Sequence, residues 1–292
     1  MKKTIMDYSY YPGCSLKSSA KDYEKAVKRA SDLLGIRLFE LSDWACCGAS
    51  VSHVPEESLS LALPSITMAE AEKYSRDIVT ACAACFNRLK STRILLEKYP
   101  EKKKETEKLI EKSLPEKTRI RHFLEVLSED VEDLDTRIKK TFSGLKTACY
   151  YGCLLTRPAG MIADERSEDP QMMDNLMKKL GADTVMWPYK TECCGTSFGL
   201  SKPEVVLKLS GKILKSAKKT GADCIVAACP LCHANLDLRQ AQIEKYNKEK
   251  FDIPVFYFPE LVVLALGDDY KNLELDKHVV NPMPLLRRKG LI

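Results

Sequence analysis

Apolar residues near the start of the chain follow two spacings, one typical of strands and one typical of helices. Residues 4–11 form an alternating, aromatic-rich run that ends at Pro12 and Gly13, which predicts a strand followed by a turn. Residues 20–34 carry apolar side chains at helical spacing and are closed by Gly35, which predicts a helix with a glycine after its last turn. A strand and a helix therefore alternate from the outset.

The alternation continues along most of the chain. Further strands are predicted at residues 36–41, 77–81, 147–151, 184–186 and 224–228. Further helices are predicted at residues 59–74, 86–96, 170–180, 203–219 and 233–245. Strands that alternate with helices in this way are typical of α/β domains built on a mainly parallel sheet. We therefore expect a Rossmann-like, parallel-sheet architecture.

Ten of the twelve cysteines fall into two sets with the same pattern. Each set has one leading cysteine, a vicinal Cys-Cys-Gly, and a Cys-x-x-Cys that follows after a gap of 34 residues. The gap before the vicinal pair is 31 residues in the first set and 39 in the second. The first set is Cys14, Cys46, Cys47, Cys82 and Cys85, and the second is Cys153, Cys193, Cys194, Cys229 and Cys232.

The sequence around the cysteines repeats as well. An aromatic pair and a glycine precede both Cys14 and Cys153, and residues 123–127 resemble residues 258–262. A repeat of this length indicates a duplicated domain. We predict two pseudosymmetric domains, at residues 1–143 with a charged helical connector at about 97–119, and at residues 144–292 with an extended tail at about 270–292.

Every cysteine group lies after a predicted strand and before a predicted helix. The carboxyl ends of parallel strands meet at one edge of a sheet, and this is where ligands bind in α/β domains. Helix N-termini at the same edge carry a partial positive charge that favours thiolates. The pattern thus predicts a ligand site in each half.

Composition narrows the class of protein. The chain has 292 residues and is 45% hydrophobic, which is enough for a packed core. Its net charge of +5 comes from basic residues that are mixed with acidic ones, so nothing indicates a nucleic-acid partner. The longest apolar run, residues 258–266, is about half of a membrane span, and the N-terminus lacks a signal-peptide core. We expect a cytoplasmic protein without a transmembrane segment, whose cysteines are used for metal or redox chemistry.

Four uses of the cysteines compete. Structural disulfides suit a secreted protein better, and thioredoxin-type exchange at the two Cys-x-x-Cys motifs leaves the other six cysteines unexplained. Zinc takes four ligands and each half offers five, although one half could still hold zinc. Thiolates also ligate iron–sulfur clusters, which we favour, although an ordinary cubane again needs only four.

The duplicated five-cysteine pattern resembles the cysteine-rich, or CCG, domain family. Nearly the whole chain is similar to the B-subunit family of heterodisulfide reductases, including residues 121–127 and 151–158. The resemblance implies a noncubane 4Fe–4S cluster in each domain, with all five cysteines of a set as possible metal and cofactor ligands. The implied ligands are Cys14, Cys46, Cys47, Cys82 and Cys85 for one cluster, and Cys153, Cys193, Cys194, Cys229 and Cys232 for the other.

The resemblance also implies a function. The chain would be the catalytic subunit of a heterodisulfide reductase-type complex in anaerobic metabolism such as methanogenesis. It would reduce a disulfide, such as that of coenzyme M and coenzyme B, to two thiols at the cluster irons. Because the same clusters would serve them equally, two alternatives stay open: an electron-relay subunit, or a thiol-oxidising subunit of a bacterial complex.

Electrons must reach such clusters from another protein. The chain contains no Gly-x-Gly-x-x-Gly nucleotide fingerprint and no Cys-x2-Cys-x2-Cys-x3-Cys-Pro run of a ferredoxin. The resemblance implies a ferredoxin-like iron–sulfur C subunit and a flavin-containing A subunit as partners. The tail at residues 279–292 is either a docking segment for a partner or a strap across its own domain.

A few other polar residues lie near the motifs. Cys149 and Cys224 are interpreted as small buried residues. His122 and His233 could donate a hydrogen bond to a ligand or supply a proton. Three cations beside cysteine motifs could meet an anionic substrate, although such residues are more often solvated: Arg88, Arg157 and Lys190.

Overall fold

The structure is a computed structural model that describes residues 6–49, 56–114, 118–162 and 167–292. Its described strands form two parallel sheets of four strands each, and across both sheets the strands lie in the order second, first, third and fourth along the chain. The predicted α/β fold with a duplicated parallel sheet is therefore confirmed. A boundary between residues 143 and 144 remains a prediction.

The first half begins with a strand at the position that the alternating pattern predicted. Its elements are β1 (Met6–Tyr10), α1 (Gly13–Lys17), α2 (Lys21–Leu34), β2 (Ile36–Glu40), α3 (Glu57–Glu72), β3 (Ile78–Thr80), α4 (Ala83–Lys98), α5 (Pro100–Ile110), β4 (Ile120–His122), α6 (Phe123–Glu129) and α7 (Leu134–Arg137). Residues 4 and 5 of the predicted first strand lie outside the described residues, as do Ser50 and His53.

The second half repeats this alternation of strands and helices. Its elements are β5 (Lys146–Tyr150), α8 (Met172–Lys179), β6 (Asp183–Thr184), α9 (Pro203–Lys219), β7 (Cys224–Ala227), α10 (Pro230–Leu236), α11 (Gln240–Asn247), β8 (Val255–Tyr257), α12 (Phe258–Ala265) and α13 (Met283–Arg288). Three single 3-10 turns lie at Thr196–Phe198, Tyr270–Asn272 and Leu275–Lys277.

The central strands β3 and β7 are continuous apolar or small runs, and every residue in both is buried. Such runs suit parallel strands that are covered on both faces, whereas alternation suits strands with one wet face. At the end of α2, Gly35 adopts φ +77° and its amide bonds back to the last turn, so this helix ends where the sequence predicted. Local chemistry thus accounts for the main elements.

The two halves pack against each other through helices α2 and α12. The ring of Tyr23 stacks on that of Tyr257 with centroids 4.0 Å apart and planes 5° apart. Arg29 forms a bidentate ion pair with Asp268, with both N–O distances at 2.6 Å. The side-chain amide of Asn87 donates to the carbonyl oxygens of two residues in the loop after β5. These contacts hold the ligand-binding edges of the two sheets in a defined arrangement.

Two predicted helices have different limits in the structure. The helix expected at 86–96 already begins at Ala83, so Cys85 lies in its first turn. The helix expected at 233–245 is divided into α10 and α11 around Asp237, whose carboxylate accepts bonds from the amides of Val279 and Val280. A tertiary contact with the tail accompanies this break, and helical periodicity alone does not reveal such contacts.

The prediction of an extended tail at 270–292 was wrong. This segment forms two 3-10 turns and helix α13, and it buries Leu275, His278, Leu285 and Leu286. Its end is tied to the segment just before the second half by a 3.3 Å bond from Lys140 Nζ to the carbonyl oxygen of Leu291. The apolar side chains are therefore covered by the chain itself, which supports the strap interpretation.

The connector at about 97–119 is helical as far as Ile110, where α5 ends. No helix in the described part of the chain combines the length and the apolar character that a bilayer span needs.

Candidate metal centre

The leading cysteine of each set follows a glycine that must remain a glycine. Gly13 and Gly152 adopt φ values of +71° and +68°, in the left-handed region that side chains other than glycine rarely occupy. A Cβ on Gly13 would lie 2.7 Å from Cys85 Sγ, and one on Gly152 would lie 3.0 Å from Cys232 Sγ. The backbone just before each leading cysteine, which we call the leading loop, therefore packs closely against the last cysteine of the same set.

A buried tyrosine joins the leading loop to the vicinal pair in each half. Tyr11 Oη donates a 2.9 Å bond to the carbonyl oxygen of Ala45, and Tyr150 Oη donates a 2.7 Å bond to that of Glu192. Burial raises the pKa of both phenols, so they remain protonated donors. Tyr150 is thus the structural equivalent of Tyr11. Alignment of the two aromatic pairs would instead match Tyr11 with Tyr151.

Helix N-termini position the Cys-x-x-Cys motifs. Cys82 and Cys229 are the residues just before α4 and α10. Cys85 and Cys232 lie in the first turn of these helices. The carbonyl oxygens of Cys82 and Cys229 accept the amides of Phe86 and His233. Hydrogen bonds with neighbouring thiols raise the pKa of Cys82, Cys85 and Cys232, and the bond with Cys232 lowers that of Cys229.

All ten predicted ligands line a single cavity of about 300 Å³. Cys194 Sγ lies 3.6 Å from Cys232 Sγ, and Cys82 of the first half is within hydrogen-bonding reach of Cys229 of the second. The remaining lining consists of small, apolar or uncharged polar side chains: Ser15, Ala49, Ala83, Ala84, Tyr151, Leu154, Thr196, Ser197 and Leu231. The two sets therefore share one cleft instead of facing opposite sides of the molecule.

The same three positions of each cysteine set are buried in both halves. The second cysteine of each vicinal pair and both cysteines of each Cys-x-x-Cys are buried. Cys14 and Cys193 are exposed, whereas Cys46 and Cys153 are partly exposed. Each set thus has three deep thiols and two at the mouth of the cavity.

Hydrogen bonds between neighbouring thiols lower the pKa of one thiol and raise that of its partner. Hydrogen bonds from Cys46 and then Cys85 lower the pKa of Cys47 to about 3, while the bond with Cys47 raises the pKa of Cys46. The bond from Cys153 lowers the pKa of Cys193 to about 6. Each set therefore offers thiolates, the form in which cysteine binds metal.

Sequence reasoning missed two polar neighbours of Cys194. Thr196 Oγ1 lies 3.2 Å from Cys194 Sγ, and Asn235 Nδ2 lies 3.4 Å from the same sulfur. A usable signal was present, because Asn235 stands one helical turn after Cys232 and side chains three residues apart share a helix face.

The two histidines near the motifs are bound to backbone. Nε2 of His122 lies 3.0 Å from the carbonyl oxygen of Ala81, and Nε2 of His233 lies 2.9 Å from that of Val255. Burial lowers the pKa of His122 to about 4 and also lowers that of His233. Both rings are neutral near pH 7, which makes them poor proton donors.

The other residues noted from the sequence lie around the site. Lys190 is buried, with Nζ 2.9 Å from Asp169 and 3.2 Å from Asp174. Arg157 pairs with Glu168 at 2.9 Å. Cys149 and Cys224 are buried on β5 and β7, as interpreted from the sequence.

The donor chemistry of the cavity fits a thiolate-ligated iron–sulfur group. All ten donors are cysteines, and such soft ligands suit iron–sulfur clusters, zinc or copper(I). Among the described residues, no three His, Cys, Asp or Glu side chains converge tightly enough to hold one metal ion. A cluster takes its thiolates from around a multi-atom core, as the cysteines that ring this cavity could provide.

Comparison with known proteins gives the family. The cysteine-rich domain (CCG) family matches twice, at residues 8–90 and 147–237. In the solved structures, a hypothetical protein from Helicobacter pylori aligns with a TM-score of 0.79 at 13% identity, covering 94% of this chain and 52% of that one. At that identity the likeness concerns the fold alone.

Two curated relatives extend over nearly the full chain. The 8-methylmenaquinol:fumarate reductase membrane anchor subunit of Wolinella succinogenes is 32% identical, covering 96% of this chain and 99% of the relative. The B subunit of the ferredoxin:CoB-CoM heterodisulfide reductase from Methanosarcina mazei is 30% identical, and the match covers 96% of both chains. The chain therefore belongs to the cysteine-rich, or CCG, domain family, as a homologue of heterodisulfide reductase B subunits.

Proposed function

We propose that this chain is the disulfide-reducing subunit of a heterodisulfide reductase-type complex. The observation that carries the proposal is the single cavity lined by both cysteine sets. A disulfide needs two electrons and two protons to become two thiols, so two redox groups at one cavity match the demand of the reaction. The relatives that are named heterodisulfide reductase subunits support the same assignment.

Each cysteine set would hold one noncubane 4Fe–4S cluster. The five thiols of a set exceed the four that zinc or a cubane takes, and all five line the cavity. When bound, the two clusters supply the electrons for the reduction and soft metal sites for sulfur. The proposed ligands are Cys14, Cys46, Cys47, Cys82 and Cys85 in one set, and Cys153, Cys193, Cys194, Cys229 and Cys232 in the other.

The chain itself would admit the substrate and exclude bulk water. Leu154 and Leu231 line the cavity together with the alanines after Cys82, and no charged side chain lines it among the described residues. This lining favours an uncharged disulfide bond over the charged ends of a substrate, which would remain outside. Ser15, Thr196 and Ser197 also line the cavity, and their hydroxyl groups would pass protons to the thiolates that form.

A second candidate function is an electron-relay subunit that acts on no disulfide. It is favoured by the relative from Wolinella succinogenes, whose name describes a membrane anchor subunit of a fumarate reductase. A relay would keep both clusters and the fold, and it would need no substrate in the cavity. A thiol-oxidising subunit would use the same cavity in the opposite direction.

The proposed partners are a ferredoxin-like iron–sulfur C subunit and a flavin-containing A subunit. Several relatives are named as subunits of larger reductases, which supports an assembly of this kind.

We also propose that the chain is cytoplasmic. Fractionation of the source cells tests this, because one relative is named a membrane anchor; recovery of the chain mainly with membranes would contradict it.

Metal analysis is the first experiment. The anaerobically purified chain should contain about eight iron and about eight sulfide, as two 4Fe–4S groups. The variant Cys224→Ser is the matched control, because Cys224 is buried on β7 and outside the two sets. Stoichiometric zinc with at most about four iron would contradict two clusters.

Turnover separates the two candidate functions. Reduced methyl viologen should drive the purified chain to reduce the coenzyme M–coenzyme B heterodisulfide, with two viologens oxidised for each disulfide. NADH or reduced flavin alone should drive no steady turnover. A chain with both clusters that reduces no disulfide with viologen would instead favour the relay.

A further inference from the structure

The second cysteine of each vicinal pair has a different neighbourhood in the two halves. In the second half, Cys194 Sγ has Thr196 Oγ1 at 3.2 Å and Asn235 Nδ2 at 3.4 Å. Asn235 Nδ2 also lies 2.9 Å from Thr196 Oγ1, so the two neutral groups form one small network. Hydrogen bonds to sulfur, net charge and solvent exposure are what set the reduction potential of a cluster.

In the first half, the corresponding positions carry different chemistry. Cys47 corresponds to Cys194, and the residue two positions later is Ala49, which has no hydroxyl group. Asn235 is the third residue after the last cysteine of its set, and in the first half this place is taken by Arg88. One helical turn after the Cys-x-x-Cys motif, the second half thus has a neutral amide where the first half has a permanent cation.

Arg88 has no carboxylate partner among the residues that the structure describes. It lies on α4 and donates from one terminal nitrogen to the carbonyl oxygen of Ser60 on α3. Its Nε is buried and has no hydrogen-bond partner among the described residues. Arg88 interacts electrostatically with the Cys47 thiolate of the first set. A guanidinium group remains protonated in proteins, so this cation is permanent.

The charges near the second set do not reproduce this situation. Arg157 and Glu192 both act on Cys193, and they have opposite signs. Arg157 is also paired with Glu168 at 2.9 Å at the surface, where solvent and salt screen its charge. Among the described residues, the second set therefore has no counterpart of Arg88, a half-buried cation without a carboxylate partner.

We propose that Arg88 makes the first cysteine set the site that accepts an electron at the higher potential. The proposal rests on the proposed cluster in each set. Gaining one electron makes a thiolate-ligated group more negative, and a half-buried cation beside it stabilises that added charge more than two neutral hydrogen bonds do. Electrons from a one-electron donor would then reduce the cluster of the first set before that of the second. Arg88 would thus set the order in which the two clusters are reduced.

Anaerobic redox titration of the intact holoprotein, followed by electron paramagnetic resonance, tests this order. The wild-type chain should show two separate midpoints. Arg88→Gln should lower the higher midpoint by at least about 59 mV, a tenfold fall in the reduced-to-oxidised ratio at fixed potential. Arg88→Lys keeps the charge and should retain most of the wild-type value. The control Arg37→Gln, which removes an exposed cation paired with Asp7, should leave both midpoints in place.

Each set is assigned to its midpoint with two further variants. Cys14→Ser should perturb the higher midpoint, and Cys153→Ser the lower one. The proposal would be overturned if the two wild-type midpoints coincide, or if Cys153→Ser perturbs the higher midpoint. Both outcomes can be read even if Arg88→Gln loses its iron. An Arg88→Gln chain that keeps its iron and both midpoints would also overturn it. Absence of iron from the wild-type chain would contradict the proposed clusters themselves, and metal analysis before the titration distinguishes that failure.

Discussion

The hydroxyl group of Tyr150 donates a 2.7 Å hydrogen bond to the carbonyl oxygen of Glu192, the residue before the vicinal cysteine pair. Tyr11 makes the same bond to Ala45 in the other half, at 2.9 Å. Two loops that are far apart in sequence are thus joined in the same way twice. The site is therefore held by contacts outside the cysteine motifs as well as by the motifs themselves.

Removal of the Tyr150 hydroxyl tests this contact. Tyr150→Phe keeps the ring in the core but leaves the carbonyl oxygen of Glu192 without its donor, so the free energy of unfolding should fall by about 1 kcal/mol. Urea denaturation measures the change. Tyr246→Phe, at an exposed tyrosine of α11, is the control and should change stability by less than about 0.5 kcal/mol. Equal stability of the two variants would show that the bond contributes nothing.

The close approach at Gly13 predicts a large effect of a single methyl group. Gly13→Ala adds a Cβ that would lie 2.7 Å from Cys85 Sγ, in a backbone conformation that costs alanine about 1 to 2 kcal/mol. We expect the variant to lose the iron bound by the first set. Gly144→Ala is the matched control, because Gly144 has φ +76° but nothing within 4 Å of the added atom. Iron retention by Gly13→Ala at the level of Gly144→Ala would contradict the argument.

Replacement of one deep thiol should disable one set only. Cys47→Ser and Cys194→Ser each remove a buried thiol from a different set, so each variant should lose about half of the iron and keep one spectroscopic signal. Electron paramagnetic resonance and iron assays give the result. Loss of both signals in either variant would mean that the sets do not bind independently.

A buried charge cluster predicts a pH dependence of stability. Nε2 of His278 lies 3.0 Å from Glu260 and 3.9 Å from Asp22, and the ring of His233 lies against it. Burial alone would lower the pKa of His278, but the charges of Glu260, Asp237 and Asp22 together raise it to about 9. The cluster joins the tail, the first half and the second half of the chain.

The sign of this pH effect follows from the direction of the shift. A raised pKa means that the folded state holds the proton more tightly, so the stabilisation is complete below the unfolded value of about 6.5. It is lost as pH rises towards 9, at up to about 1.4 kcal/mol per pH unit. His278→Gln should flatten the stability profile between these limits in urea titrations. An unchanged slope in the variant would assign the pH dependence to other groups.

Much of the fold followed from the chain's local patterns. The apolar runs of β3 and β7 and the helical spacing of α2 reflect backbone geometry that depends on neighbours within a few residues. The duplication was visible because ten cysteines repeat in order, and the repeat implied two similar sheets. The predicted ligands could be named from their spacing and family resemblance without knowledge of a single contact.

The tertiary structure alone decided how the two halves meet. Periodicity places cysteines at the edge of each sheet but does not relate one sheet to another, and contacts such as Tyr23 on Tyr257 bring both edges to one cavity. The tail was misjudged for the same reason, because the burial of Leu285 and Leu286 depends on distant surfaces. The residues that differ around Cys47 and Cys194 can be read from the sequence, but the contacts of Thr196 and Asn235 with Cys194 follow from packing between elements far apart in sequence.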